Sequence, residues 1–310
     1  MPKIVALAGG VGGSKLIFGL SKSLPPEDLC IVANTGDDEI FHGLYVSPDV
    51  DTIVYTLAGL VNKINGWGVE EDTFSALGTL RQLGSNTWFN LGDKDIGLHL
   101  WRTEALKAGK KLSQVTEEIA HRFGIMNRII PMTDSRVQTR VHTDRGVLSF
   151  QEYFVENRCE PAVKRLTFKG SKNAAPPETL LSFLEEADAI IFCPSNPLVS
   201  IGPILAIRAL RESIENFKGP RIAVSPIVNG HTIKGPAAKM MVELGMESSN
   251  VQLAKFYMNV CDTFIVDEID LLDVHAIQAL GLQSVAMPIV MKSDEDKLLL
   301  AQKILENLAL

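Results

Sequence analysis

The run Ile4-Val5-Ala6-Leu7-Ala8 passes directly into Gly9-Gly10-Val11-Gly12-Gly13 and then into Ser14-Lys15-Leu16-Ile17-Phe18. No other segment restricts the chain so tightly. An unbroken apolar run reads as a strand buried on both faces, and the residues after the glycines read as a helix. Glycine has no Cβ and tolerates positive φ, so amides in such a loop can turn toward an anion while the helix N-terminus adds partial positive charge. The segment therefore predicts a strand-loop-helix unit that either cradles phosphate or simply turns the chain tightly.

A dinucleotide is the first ligand to consider, and the spacing argues against it. Gly10 and Gly12 match the first two glycines of G-x-G-x-x-G, but the third position is Lys15. The second apolar run, Leu29 to Ala33, ends in Asn34-Thr35-Gly36-Asp37-Asp38, without the acidic residue directly at its end that would hold a ribose. A Walker A loop is excluded too, because Ser14-Lys15 reverses the required Lys-Ser order.

Further strand-like runs at Ala189–Phe192, Arg221–Ser225 and Thr263–Asp267 alternate with helical patterns. That alternation predicts an α/β fold, a doubly wound, mostly parallel sheet with helices on both faces. Four runs empty into loops rich in glycine, proline or polar residues: Gly9–Gly13, Asn34–Asp38, Pro194–Pro197 and Pro226–Gly230. In such a sheet these loops share the carboxyl edge, where ligands bind. With 46% hydrophobic residues among 310, the chain can bury a large core. Its net charge of −7 is spread among interspersed signs, which speaks against a nucleic-acid surface and for a small-molecule site. No apolar run approaches a membrane span and no leader-like segment precedes the first strand, so a cytoplasmic protein is expected. Cys30, Cys159, Cys193 and Cys261 lack C-x-x-C spacing and read as buried thiols.

Ile53, Val54, Leu57, Leu60 and Val61 form one apolar stripe at helical spacing, which predicts a helix from about Asp51-Thr52 with Asp51 as its N-cap. Asp294 to Leu308 reads as a closing amphipathic helix. Between Met126 and Gly170 the pattern alternates through Ile129–Pro131, Val137–Thr143 and Val147–Phe150, with a hairpin signal at Thr143-Asp144-Arg145-Gly146. The expected organisation is a core of residues 1–125 and 171–310 with a small β-rich, antiparallel insertion at 126–170.

Carboxylates gather near the first loops: Asp37, Asp38 and Glu39, Asp49 and Asp51, Asp93 and Asp95. Mg2+ uses one or two carboxylates together with phosphate oxygens and water, so the pattern suits phosphoryl chemistry. Each aspartate also has a purely structural reading: a cap at Asp51, a turn at Asp49, a solvated helix start at Asp93-Lys94-Asp95. Ser195 and Asn196, held between two prolines, and the Ser225–Gly230 loop with Lys234 and Lys239 nearby could present groups to a ligand, or could serve as turns alone. His42, His99, His121, His142, His231 and His275 show no metal-ligand spacing, and no G-x-S-x-G elbow is present.

In order along the chain, Ala8–Gly13, Asn34–Asp38, Ser47-Pro48-Asp49-Val50-Asp51-Thr52, Gly66-Trp67-Gly68, Leu91-Gly92-Asp93-Lys94-Asp95, Phe150-Gln151-Glu152-Tyr153, Pro194–Pro197 and Ser225-Pro226-Ile227 resemble the 2-phospho-L-lactate transferases of coenzyme F-420 biosynthesis. The alternative is a nucleotide-sugar- or NAD-binding regulatory protein of the gluconeogenesis-factor group, whose members resemble this chain in the glycine-rich start and the sheet. The segments 66–68 and 91–95 favour the transferases.

The resemblance implies a Rossmann-like, cytoplasmic, Mg2+-dependent homodimer. It would join a three-carbon phosphoacid, carried on a guanosine diphosphate conjugate, to the ribityl hydroxyl of a deazaflavin, with GMP leaving. It further implies that Asp51 is catalytic and, with Thr52 and Lys94, contacts the deazaflavin. Asp37, Asp49 or Asp51 would ligate Mg2+. Gly9, Gly10, Gly12, Gly13, Lys15 and Asn34 would meet donor phosphates, and Ser195, Asn196, Ser225 and Asn229 would lie at the guanosine end. Lys94 stands where relatives often carry arginine, and a point charge there replaces a bidentate fork. Trp67, Trp88 and Trp101 are candidates to wall the tricyclic ring, although each reads equally as core.

Overall fold

The computed structural model describes residues 1–308; the last two positions of the expected core range, 309 and 310, lie outside the described residues. In chain order the strands are β1 (Ile4–Ala8), β2 (Leu29–Ala33), the hairpin β3 (Glu39–Phe41) and β4 (Leu44–Val46), β5 (Arg128–Pro131), β6 (Gln138–Thr143), β7 (Gly146–Ser149), β8 (Val163–Lys169), β9 (Ala189–Phe192), β10 (Arg221–Val224), the hairpin β11 (Ile227–Val228) and β12 (His231–Thr232), β13 (Thr263–Val266) and β14 (Gln283–Ala286). Seven of them form one sheet in the order β14-β13-β10-β9-β1-β2-β5, every neighbouring pair parallel. The chain winds outward from β1 in one direction and then returns to wind outward in the other. The reversal between β1 and β9 is a topological switch point, where the connections diverge and leave a crevice at the carboxyl edge.

The five runs expected as strands all join this sheet. Their side chains alternate between two apolar layers, as period-two geometry requires. Ile4, Ala6 and Ala8 pack with Leu16, Ile17 and Leu20 of helix α1 (Gly10–Ser23) and Ile53 of α2 (Pro48–Leu57). Val5 and Leu7 face the opposite layer with Leu180, Phe183, Leu210 and Tyr257. Leu7 is fully buried, and its truncation to alanine costs about 2–5 kcal/mol. The closing helix, Asp294–Glu306, lies against α1, where Gly19 admits the backbone of Lys297.

Two expectations are corrected. Ile129–Pro131 does not belong to the antiparallel unit: it is β5, the parallel edge strand paired with β2. The separate antiparallel sheet is β7-β6-β8. Pairing partner is a nonlocal property, and a four-residue run beside a hairpin signal carries no mark of which sheet it joins. Second, α2 begins at Pro48 with Ser47 at the N-cap, so Asp51 stands inside the first turn and is not a cap. Proline suits the first helical position because its missing N–H would have no intrahelical partner there. The helix stops at Leu57, Gly59 takes φ +71, and the Leu60 amide donates back to Tyr55, so Leu60 and Val61 lie beyond the helix, although both still pack against the same core.

Three more helices build the first half's outer wall: α3 (Ser75–Gln82), α4 (Asp93–Lys107) and α5 (Leu112–Arg122). The first two are capped reciprocally. Asp93 accepts the amides of Ser75 and Ala76 at 3.0 Å, and Asp72 accepts those of Lys94 at 2.8 Å and Asp95 at 3.2 Å. A carboxylate at each N-terminus satisfies orphan donors and complements the helix dipole.

Candidate active site

Strands β1, β2 and β9 end side by side, Ala8 paired with Ala33 and Leu7 with Phe192, so the loops that follow them meet. The glycine loop is pressed onto its neighbours. A Cβ at Gly12 would collide with the carbonyl oxygen of Pro194, one at Gly13 with Oγ of Ser195, and one at Gly9 with the Asp49 carboxylate and Ser200. Gly10 takes φ +64, a conformation that L side chains rarely adopt. The glycines are required by close approach, which the tight-turn reading and the phosphate reading share.

Within this contact Gly9 N–H donates to Ser195 Oγ at 3.1 Å and Gly10 N–H to Asp49 Oδ1 at 2.6 Å. Two of the loop's amides therefore already have partners. The amides of Val11 and Gly12, in the first turn of α1, make no hydrogen bond among the described residues and remain able to bind an anion.

Asn34 organises the acidic side. Its Nδ2 donates to Asp49 Oδ2 at 2.8 Å and to Asp37 Oδ1 at 3.1 Å, while its Oδ1 accepts the Gly36 amide at 2.8 Å. Gln151, in the helical turn just after β7 and outside the parallel sheet, donates from Nε2 to Asp37 Oδ2 at 3.2 Å. Asp38 accepts the hydroxyls of Ser47 at 2.7 Å and Tyr45 at 2.9 Å. Burial pushes Asp49 up to about 6, against the hydrogen bonds from Asn34 and Gly10 that favour its charged form. Burial, with the nearby Asp49 next, holds Asp37 well above the usual carboxylate range; burial does the same at Asp38 against the two hydroxyls. Among the described residues no ion pair reaches Asp37 or Asp49.

Asp51, one half-turn along α2, meets a different environment. Arg102 of α4 closes a fork on it, Nη2 to Oδ1 and Nη1 to Oδ2 at 3.1 Å. Burial alone would lower the Arg102 guanidinium; Asp51 more than offsets that and holds it above its ordinary value. His99 Nδ1 lies 3.2 Å from Arg102 Nη1, and burial pushes this histidine down to about 4. On its other side His99 Nε2 faces Asp95 Oδ1 at 3.5 Å, and Asp95 accepts the Tyr55 hydroxyl. Burial, with Asp51 next, raises Asp95 to about 7.

A divalent cation fits part of this arrangement. Asp37 and Asp49 are buried, linked through one amide and bonded only to neutral donors, so a hard cation would find lone pairs there and would offset the burial that disfavours their charged forms. Asp51 does not fit, because its charge is already met by Arg102. Among the described residues no group of three histidine, cysteine, aspartate or glutamate side chains is placed to hold a metal. A cation here would therefore take two protein carboxylates, with other oxygens completing its shell.

Other expected residues are placed differently. Lys15 points from α1 to the Met291 carbonyl at 2.7 Å, with its ammonium lowered chiefly by burial. Ser225 is buried with its hydroxyl donating to Asn250 at 2.6 Å, Asn196 caps the turn at Leu198 and Val199, and the Asn229 amide is held by Asp270 at 3.0 Å. Thr52 donates to the Pro48 carbonyl at 2.8 Å. Lys94 is exposed and donates to the Glu70 carbonyl at 2.9 Å. Lys239 turns away to Glu243, whereas Lys234 reaches the Asn65 carbonyl at 2.6 Å beside the glycine loop. Trp101 packs against the core under Arg122, Trp88 sits edge-on to Phe41 and Phe89, and Trp67 is half exposed. Arg102 and Tyr55 carried no site signal in the sequence, and Asp95 and His99, although named there among the carboxylates and the histidines, were not linked to Asp51. Their only local trace is the spacing of 95, 99 and 102 on one face of α4.

Solved structures share this architecture. A UPF0052-family protein from Bacillus halodurans superposes with a TM-score of 0.66 at 14% identity, covering 98% of this chain and 99% of that one. Curated relatives match along nearly the full length. They include a phosphoenolpyruvate transferase of Streptomyces griseus at 37% identity (98% of each chain). Two 2-phospho-L-lactate transferases also match, from Methanosarcina acetivorans at 36% (96% of this chain, 97% of that one) and Methanopyrus kandleri at 38% (98% and 96%). The family model for 2-phospho-L-lactate transferase CofD matches residues 4–296, spanning the glycine loop, the aspartates and every strand of the central sheet. The chain belongs to the 2-phospho-L-lactate transferase CofD family.

Proposed function

We propose that this protein transfers a three-carbon phosphoacid from its guanosine diphosphate conjugate to the ribityl hydroxyl of 7,8-didemethyl-8-hydroxy-5-deazariboflavin in coenzyme F-420 biosynthesis. The acceptor oxygen bonds to the phosphorus that carries the acid, the bond from that phosphorus to the GMP oxygen breaks, GMP leaves, and the hydroxyl proton is lost. One observation carries the reading: free amides at the start of α1 stand beside the Asp37–Asn34–Asp49 cluster at the switch point of the sheet. Anion donors and cation-binding oxygens are thus adjacent, as transfer of a substituted phosphate demands.

In this reading Val11 and Gly12 donate to donor phosphate oxygens, and Asn34 fixes both carboxylates. Asp37 and Asp49 hold Mg2+, which when bound supplies Lewis-acid neutralisation of phosphate charge. Asp51 accepts from the ribityl chain, and Lys94, with Thr52 close by on α2, lies on the acceptor side. Ser195 supports the loop by accepting from Gly9. Catalysis then rests on positioning and charge complementarity, without a covalent intermediate. The enzyme acts in the cytoplasm as a homodimer; no described helix is long and apolar enough to cross a membrane. The relatives carry two different donor names, phosphoenolpyruvate and 2-phospho-L-lactate, so the donor acid is the variable to test.

The test is direct. Purified protein with Mg2+ and deazaflavin is offered the guanosine diphosphate conjugates of lactate, enolpyruvate and glycerate, and phosphodiester product and GMP are quantified. Turnover of at least one conjugate is expected; no product from any of them would overturn the proposal.

A further inference from the structure

Asp49 and Asp51 are two residues apart on α2 and have opposite fates. One bonds only to neutral groups, and the other is tied to a buried guanidinium. We infer that Arg102 is a positioning residue that commits Asp51 to the acceptor and withholds it from the cation. This rests on the acceptor role given to Asp51 above.

The argument is one of charge and geometry. Arg102 is fully buried, and a guanidinium in that interior persists only when paired. Its planar fork meets both carboxylate oxygens, which fixes the plane of Asp51 as a single contact could not. The pair is close to neutral overall, so it has little to offer a divalent ion. Asp51 Oδ2 also accepts the Ser47 amide at 3.3 Å, whereas Oδ1 accepts from Arg102 alone and keeps lone-pair capacity, which suits a hydroxyl donor such as a ribityl chain.

The fork is itself braced. Arg102 Nη1 also lies 3.4 Å from the Tyr45 carbonyl and 3.2 Å from His99 Nδ1. Since arginine has no acceptor, His99 Nδ1 accepts and its proton sits on Nε2, facing Asp95 at 3.5 Å. Asp95 is held in turn by the Tyr55 hydroxyl. Residues 95, 99 and 102 thus form one spine on α4 whose far end is the Asp51 carboxylate.

Four variants test this: Arg102→Lys, Arg102→Gln, His99→Gln and Asp51→Asn. Binding of deazaflavin without donor is measured by calorimetry, together with KM for acceptor and donor, the Mg2+ concentration for half-maximal rate, and the thermal midpoint. Arg102→Lys keeps the charge and loses the fork; acceptor binding is expected to weaken about tenfold, as the loss of one charge-assisted hydrogen bond would produce. His99→Gln keeps the pair and loosens its brace, and a smaller loss in the same parameter is expected. Donor KM and Mg2+ half-saturation should stay near wild type in both, which a general weakening of the fold would not produce. Arg102→Gln removes the charge that masks Asp51 and should shift Mg2+ half-saturation. Should Arg102→Lys be too unstable to titrate, His99→Gln decides alone. Normal acceptor binding in both, with Asp51→Asn impaired, overturns the role of Arg102 and leaves that of Asp51 standing. Normal binding in Asp51→Asn overturns both.

Discussion

Asn34 Nδ2 stands 2.8 Å from Asp49 Oδ2, and the same nitrogen reaches Asp37 at 3.1 Å, so a single neutral amide keeps two buried carboxylates together. Replacement by leucine removes the shared donor and leaves both acceptors short of a partner. Asn34→Leu is expected to lower kcat/KM roughly 10- to 100-fold, the usual range for groups that orient metal ligands. Stability should fall by about 1–3 kcal/mol from the unsatisfied groups. Steady-state kinetics and urea unfolding measure the two effects separately.

Gly12 faces the Pro194 carbonyl with no room for a methyl group. Backbone is on both sides of the contact, so neither partner can rotate away. Gly12→Ala should cost about 1–3 kcal/mol of stability by overpacking. Gly97→Ala, on the exposed side of α4 with open space around it, serves as the control and should leave the unfolding midpoint unchanged or raised.

If Asp37 and Asp49 hold the cation, chelation by EDTA abolishes turnover and added Mg2+ restores it. Asp49→Asn keeps the shape and loses the charge, and should raise the Mg2+ concentration for half-maximal rate by about tenfold or more, ~1.4 kcal/mol. Asp51→Asn should leave that concentration near wild type. Full activity in EDTA would remove the cation from the reaction.

Asp51→Ala strands Arg102, which is fully buried. Removing one member of a buried pair typically costs 3–5 kcal/mol because the remaining charge is left uncompensated, and about that loss is expected here. Asp51→Asn, which retains an acceptor oxygen, should lose less. Denaturant midpoints of the two variants check the order; activity lost in Asp51→Ala alone says little about mechanism, because its fold is compromised.

Asp95 and His99 give stability a pH dependence with opposing signs. Asp95 has a folded value of about 7, raised from that of an exposed aspartate, so its contribution is fully present at low pH and is lost as pH rises toward and through 7. His99, lowered to about 4, contributes above its unfolded value and loses that contribution as pH falls toward 4. Asp95→Asn removes the first effect. Relative to wild type, its stability should therefore rise between pH 5 and pH 8, read from urea unfolding at several pH values. A constant difference would show that Asp95 is not held protonated by the fold.

Much of the architecture was legible in local patterns. Unbroken apolar runs such as Ile4–Ala8 and Leu29–Ala33 can be satisfied only by burial on both faces, and the glycine run after β1 marks a close approach wherever the sheet lies. The loops after β1, β2 and β9, expected to share the carboxyl edge of the sheet, do meet there. The intramolecular partners of Ser225 and Asn196 were not legible, because a hydroxyl or amide in a loop looks the same whatever it meets; Ser225 reaches Asn250, and Asn196 the amides of Leu198 and Val199.

By itself the sequence determined the βαβ alternation, the glycine loop and the carboxylate-rich edge, since each depends on residues that are neighbours in the chain. Tertiary structure decided which aspartate is free. Asp37, Asp49 and Asp51 are alike as residues, and only packing brings Asn34 between two of them and Arg102, 51 positions away, onto the third. Charge compensation acts through space at a few ångströms, so a carboxylate's chemistry is set by whichever group the fold delivers beside it.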